Sequence, residues 1–134
     1  MIEQMTGAEL QTLRESCGLS REEFGLLASV QARTVKHWEN GHSATVPADA
    51  QELARNLDQS VSAAVAADLA PLAGLQAGEA ATLTRYQDAY SLKQSRPDLA
   101  GLPLGLHGAI VGRVRLALLA RGAKVRIDWA PAGS

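Results

Sequence analysis

The sequence predicts a mostly α protein, with a helical N-terminal unit and a small α+β C-terminal unit, and three observations carry that expectation. Aromatics are 4% of the 134 residues while Ala, Leu and Val abound, a composition that suits close-packed helices better than pleated sandwich faces. Paired helix-start signals, Thr6 with Glu9 and Ser20 with Glu23, crowd the first thirty residues. Clean apolar–polar alternation comes late, at 124–129. With 46% apolar and 20% charged residues the chain can build a core, which argues against wholesale disorder, and its length argues against a large two-lobed cofactor enzyme.

Thr6 and Glu9 have capping-box spacing, and Leu10, Leu13 and Cys17 recur at helical intervals before Gly18, so a first helix is expected over about 7–17. Ser20 and Glu23 open a second over about 21–28, with Phe24, Leu27 and Ala28 on its apolar face. A third runs from Gln31 to Asn40 with Val35 and Trp38 at i, i+3, and Gly41 stands where a left-handed C-cap belongs. Residues 41–46 read as a loop. Pro47 suits the first position of a fourth helix, whose stripe Ala50, Leu53, Leu57, Val61, Ala64, Val65 continues to about Leu69.

Pro71, Gly74 and Gly78 break that pattern, which places a boundary between an N-terminal domain at 1–69 and a C-terminal segment at 70–134. In the second part, 81–86 alternates loosely and suggests a strand, and 88–95 suggests one or two helical turns. Residues 96–98 and 101–105 read as loop, because Pro97, Gly101, Pro103 and Gly105 punctuate them. A helix is expected over 107–121 with Ile110, Val114, Ala117 and Leu118 on one side, followed by a strand at 124–129.

Charge divides unevenly along this order. Residues 1–68 carry five Lys/Arg against ten Asp/Glu, a net of −5, and residues 69–134 carry eight against four, a net of +4. Opposite-signed halves suit head-to-tail self-association or an anion on the basic half, and equally an uneven solvated surface. No run approaches the roughly 18 apolar residues of a membrane span, and Met1–Gln4 lacks the order of a signal peptide, so a cytoplasmic protein without a membrane partner is expected. Cys17, the single cysteine, has no partner for an internal disulfide and reads as a small buried apolar residue.

The short helix, tight turn and short helix at 20–41 are the segment that rises above background. A helix-turn-helix needs a small residue at the turn, apolar residues locking the two helices, and polar residues on the open face of the second. Ser29 takes the turn, and Phe24, Ala28, Val30, Val35 and Trp38 supply the lock. Gln31, Ala32, Arg33, Lys36 and His37 fall on the open face. Arginine grips guanine O6 and N7 bidentately, glutamine pairs with adenine, and lysine reaches a base acceptor or a phosphate. Arg21, His42 and Ser43 flank this set as candidate phosphate contacts, which position a protein without reading sequence. Trp38 is expected in the core, and Glu39 as an anchor for a neighbouring loop.

The segment Leu19-Ser20-Arg21-Glu22-Glu23-Phe24 through Thr34-Val35-Lys36-His37-Trp38-Glu39-Asn40-Gly41 resembles, without a gap, the Cro and CI-type (XRE) repressor helix-turn-helix. It departs from that pattern at Gly25, where Ala is usual, at Ala28, where Leu is usual, and at Ser29, where the turn glycine is usual. The resemblance covers about 6–69 and implies a lambda-repressor-like helical bundle that binds double-stranded DNA. More narrowly, Val30-x-Ala32-Arg33-Thr34, Trp38-Glu39-x-Gly41-x-Ser43-Ala44 and the tail from Gly101 to Trp129 resemble anti-CRISPR-associated autorepressors and YdiL-like proteins. That likeness implies dimerisation through the C-terminal segment.

Catalysis is not expected. His37, His42, His107 and Cys17 offer no metal-ligand spacing, Glu22 and Glu23 point to different faces, and no glycine-rich phosphate loop follows a strand, so neither a metal nor a cofactor is anticipated. His107 is placed near a helix start beside the C-terminal core. The expectation is therefore a bacterial or phage transcriptional repressor, dimeric through its C-terminal half and bound to an inverted-repeat operator. The alternatives are an antitoxin whose extra segment covers a toxin, and a protein–protein adaptor on the same fold.

Overall fold

The computed structural model describes residues 4–41 and 45–131. Mostly helical as expected, it runs α1 (Gly7–Ser16), α2 (Arg21–Ala28), α3 (Ala32–Asn40), α4 (Ala48–Leu69), β1 (Ala80–Arg85), α5 (Ala89–Ser95), α6 (Leu104–Ala120) and β2 (Lys124–Trp129), with single 3-10 turns at Ala70–Leu72 and Pro97–Leu99. The chain forms two compact units, residues 1–60 and 61–134, and the division falls inside α4.

In the first unit both expected capping boxes are formed. The Glu9 backbone N–H donates to Thr6 Oγ1 at 3.0 Å and the Thr6 N–H to Glu9 Oε1 at 3.1 Å. Ser20 and Glu23 repeat the exchange at 3.0 and 2.9 Å, and each satisfies helix-end donors that would otherwise lack a partner. Leu10, Cys17, Leu19, Phe24, Val35 and Trp38 close a core with Ala50, Ala54 and Leu57 from α4. Gly7 lets α1 approach the end of α3, since a Cβ there would lie 2.6 Å from the Trp38 carbonyl oxygen and overlap that of Glu39.

In the second unit β1 and β2 pair in parallel, Ala80 opposite Lys124 and Arg85 opposite Trp129. A parallel pair needs a long crossover, and α5 and α6 provide it. Ala81, Leu83 and Arg85 are half-buried and alternate with exposed Ala80, Thr82 and Thr84, the period-two pattern of a one-sided strand. The unit's core is Leu92, Leu99, Leu106, Ile110, Val111, Val114 and Leu118.

Two local expectations are corrected here. Leu104 and Gly105 are helical rather than loop, because Pro103 with φ −60° and ψ 148° is the extended N-cap from which α6 starts. Residues 97–99 form a 3-10 turn rather than open loop, since the Pro97 ring presets φ for its first position. The expected apolar side of α6 faces inward. Ile110 and Leu118 are 0% exposed and Val114 2%, so these three are core of their own unit. The apolar side chains α6 and β2 do present are Leu116, Leu119, Ile127 and Trp129.

Candidate nucleic-acid interface

The helix-turn-helix is built around one residue of unusual backbone and one without a Cβ. Ser29 ends α2 in the left-handed region, φ 62° and ψ 39°, which turns the chain sharply enough for α3 to begin three residues later. The Val30 N–H closes the turn by donating to the Gly25 carbonyl at 2.8 Å. Gly25 makes that closeness possible, because a Cβ there would stand 2.7 Å from the Val30 carbonyl oxygen. Two of the three departures from the resembled pattern, Gly25 and Ser29, therefore meet at the same turn.

Below the turn Phe24 and Val35 are fully buried, and Trp38 is buried beside them. Glu39, with no side-chain surface exposed, is the polar centre of the unit. Arg14 donates from Nε to Glu39 Oε2 at 2.7 Å and from Nη2 to Oε1 at 3.1 Å, and its Nη1 reaches the Leu19 carbonyl at 2.8 Å. Arg21 Nε adds a third donor to Oε1 at 2.9 Å. One carboxylate from α3 thus ties α1, the connection before α2, and α2 itself. Buried charges persist only when paired and hydrogen-bonded in this way. Glu39 is indeed an anchor, but what it anchors is chiefly two arginines.

The opposite side of α3 is left open. Arg33, Lys36 and His37 are exposed, and their i, i+3, i+4 spacing puts them on one face. Gln31 is the exposed N-cap residue and makes no side-chain cap bond, so it is not committed to the helix end. Ala32, half-buried, is the first helical residue. Asn40 is exposed on the same face, seven residues after Arg33, and was not singled out from the sequence; continuing the i, i+3, i+4 series by one turn would have found it. Arg21 stands apart, since Glu39 engages its Nε and a third of the side chain stays exposed. His42 and Ser43 lie outside the described residues.

The geometry is that of a polar helix face carried on a rigid apolar and ionic base. A helix-turn-helix family model, HTH_3, matches residues 10–63. No curated protein matches the chain. No helix among the described residues is long and apolar enough to cross a membrane. The exposed face of α3 and the turn at Ser29 lie inside the matched segment, so residues 10–63 are similar to a helix-turn-helix family, a likeness that supports a DNA-binding regulator.

Proposed function

We propose that the protein is a dimeric repressor that reads an inverted repeat in double-stranded DNA, with α3 in the major groove. The observation that carries this reading is the open face of α3: Gln31, Arg33, Lys36 and His37 are all exposed while Val35, Trp38 and Glu39 of the same nine-residue helix are buried. Arg33 and Gln31 are the base readers, Lys36 and His37 reach bases or phosphates, and Ala32 keeps the helix start narrow enough to enter the groove. Arg21 reaches a phosphate with the part of its guanidinium that Glu39 does not hold, and His42 and Ser43, beyond α3, complete the phosphate contacts.

A single helix-turn-helix reads few base pairs, and residues 1–68 carry a net charge of −5, which weakens attraction to phosphate. Pairing offsets both. The C-terminal unit supplies a surface for it: on α6, Gly105, Ala109, Gly112 and Leu116 follow one another at i, i+4, i+7, i+11, on the side away from Ile110, Val114 and Leu118. A helix apolar on both sides is covered on both sides. Leu116 is 62% exposed and Trp129 54%, large side chains with much surface still to bury. Two copies joined through α6 and β2 would set two α3 helices about one DNA turn, roughly 34 Å, apart. Autorepression, as in the anti-CRISPR-associated regulators the sequence resembles, makes the DNA upstream of the protein's own gene the first target to test.

The test is a footprint and a titration on that upstream DNA with the full chain and with Arg33→Ala. The variant is expected to lose about 1–3 kcal/mol on the protected site and much less on random DNA, because a bidentate base contact is worth that much and a phosphate contact weakens both equally. Equal losses on both DNAs would remove Arg33 from base reading. Leu116→Asp, at an exposed position, should leave the fold intact, convert dimer to monomer in sedimentation, and lose the site with it.

A further inference from the structure

The second unit contains a cleft of about 290 Å³ lined by Asp68 at the end of α4, Thr82 and Thr84 of β1, Tyr86, Arg96, and His107 and Val111 of α6. We propose that this cleft binds a small uncharged molecule with an aromatic or heteroaromatic body and an amide-like hydrogen-bonding edge. The site belongs to the C-terminal unit alone and stands whether or not α3 reads DNA.

His107 is the first support. It is 3% exposed, and its Nδ1 has no hydrogen-bond partner among the described residues. A buried nitrogen without a partner is destabilising, and native proteins rarely retain one unless something fills the role. Among the described residues His107 Nδ1 stands out in this, and the three donors on Glu39 show the usual case.

The size and walls limit what fills it. The volume equals about ten waters, enough for one ring with a substituent and too small for a dinucleotide. Val111, Val114 and Leu83 provide apolar surface. The Tyr86 ring lies 5.4 Å from that of His107 and tilted by 54°, so two aromatic surfaces stand close together at the cleft.

Charge selects against ions of either sign. Arg96 gives Nε and Nη2 to Asp98, each at 3.1 Å, and Nη1 to Asp68 at 3.1 Å, so its guanidinium is already neutralised and offers an anion little. Asp68 spends Oδ2 on the same arginine, which weakens its pull on a cation. Burial, reinforced by the Arg96 and Arg85 guanidinium groups and only partly opposed by Asp68 and Asp98, holds His107 below its ordinary pKa. The imidazole is therefore neutral at pH 7 and presents a hydrogen-bonding edge rather than a charge. With Arg96 and Asp68 paired and His107 neutral, the lining is polar without net charge.

Benzamide, benzoate and benzamidinium are nearly isosteric and differ in charge, so they test the assignment directly on the full chain. Benzamide should shift the methyl resonances of Val111 and Val114, with benzoate and benzamidinium binding about tenfold more weakly or worse. His107→Phe should melt at the same or a higher temperature, since it removes an unpartnered polar atom, yet lose about tenfold in benzamide affinity. Ala67→Trp, at an exposed position on the cleft wall, should give the same loss without touching the core, and it decides the matter if His107→Phe does not fold. Unmoved methyls with benzamide at its solubility limit, equal binding of all three probes, or undiminished binding by a folded variant would each overturn the proposal.

Discussion

The two units solve the same problem in opposite ways. Each buries an ionisable side chain, Glu39 in the first and His107 in the second. Glu39 receives three donors from two arginines of its own unit, whereas His107 Nδ1 receives nothing from the described residues. Likewise α3 is divided cleanly between a buried apolar side and an open polar one, while α6 carries Leu116 and Leu119 on the side its own core leaves exposed. A unit whose polar groups are satisfied internally can hold an exposed face rigid and free for an external surface. The second unit leaves a nitrogen without a partner among the described residues and two leucines exposed, and the proposed ligand and pairing rest on these unmet groups.

The largest effect should come from breaking the internally satisfied unit. Glu39→Gln removes the charge that two arginines share and leaves Arg14, with 8% of its side chain exposed, without a carboxylate. A loss of about 3–5 kcal/mol is expected in urea unfolding, because removing one partner of a buried pair strands the other. DNA binding would fall with the fold rather than with a contact. If Glu39→Gln cost under about 1 kcal/mol, the network would be no more than a surface ion pair, and the contrast with His107 would collapse.

A smaller effect sharpens how the first unit is made. Gly25→Ala should lose about 1–3 kcal/mol, since its Cβ would sit 2.7 Å from the Val30 carbonyl oxygen and the turn must shift. Ser29→Gly should gain up to about 1 kcal/mol by relieving a left-handed serine, the gain being trimmed by the extra freedom of glycine when unfolded. Both act on the same turn, so the double variant should lose less than the sum of the two. Strict additivity in thermal unfolding would show that the Gly25 and Ser29 departures from the family pattern are independent, not compensating.

These contrasts also mark what was legible beforehand. Capping boxes are written in four consecutive residues, so α1 and α2 begin where Thr6 and Ser20 require, and the strand at 124–129 is found at its expected bounds. The start of α6 was misplaced because Gly101, Pro103 and Gly105 read as breakers, although a proline just ahead of a helix favours its start. Periodicity identified Ile110, Val114 and Leu118 as one apolar side without saying what covers it, and the answer is this chain's own core. The parallel pairing of β1 with β2 and the Arg14–Glu39 pair join residues far apart in sequence, which no local pattern encodes. On the candidate interface, the exposed residues of α3 followed from helical spacing alone, but the capture of Arg21 by Glu39 needed the third dimension.

The smallest expected effect tests the comparison from the side of His107. Its folded pKa lies below the ordinary 6.5, so between those two values the unfolded chain binds a proton that the folded chain refuses. Stability therefore rises with pH across that window, is fullest above about 6.5, and falls as acidification passes 6.5 toward the folded pKa. One such group can contribute at most about 1.4 kcal/mol per pH unit. Urea unfolding at pH 7.5 and pH 5.5 should show the drop in the parent chain and a shallower one in His107→Phe, which has no imidazole to charge. Glu39 offers a control, because Glu39→Gln should lower stability at both pH values and leave the His107-dependent drop between them intact. A parent chain and a His107→Phe variant that lose the same stability between the two pH values would show that His107 is not refused its proton, and that the second unit does not carry the unmet nitrogen on which the contrast rests.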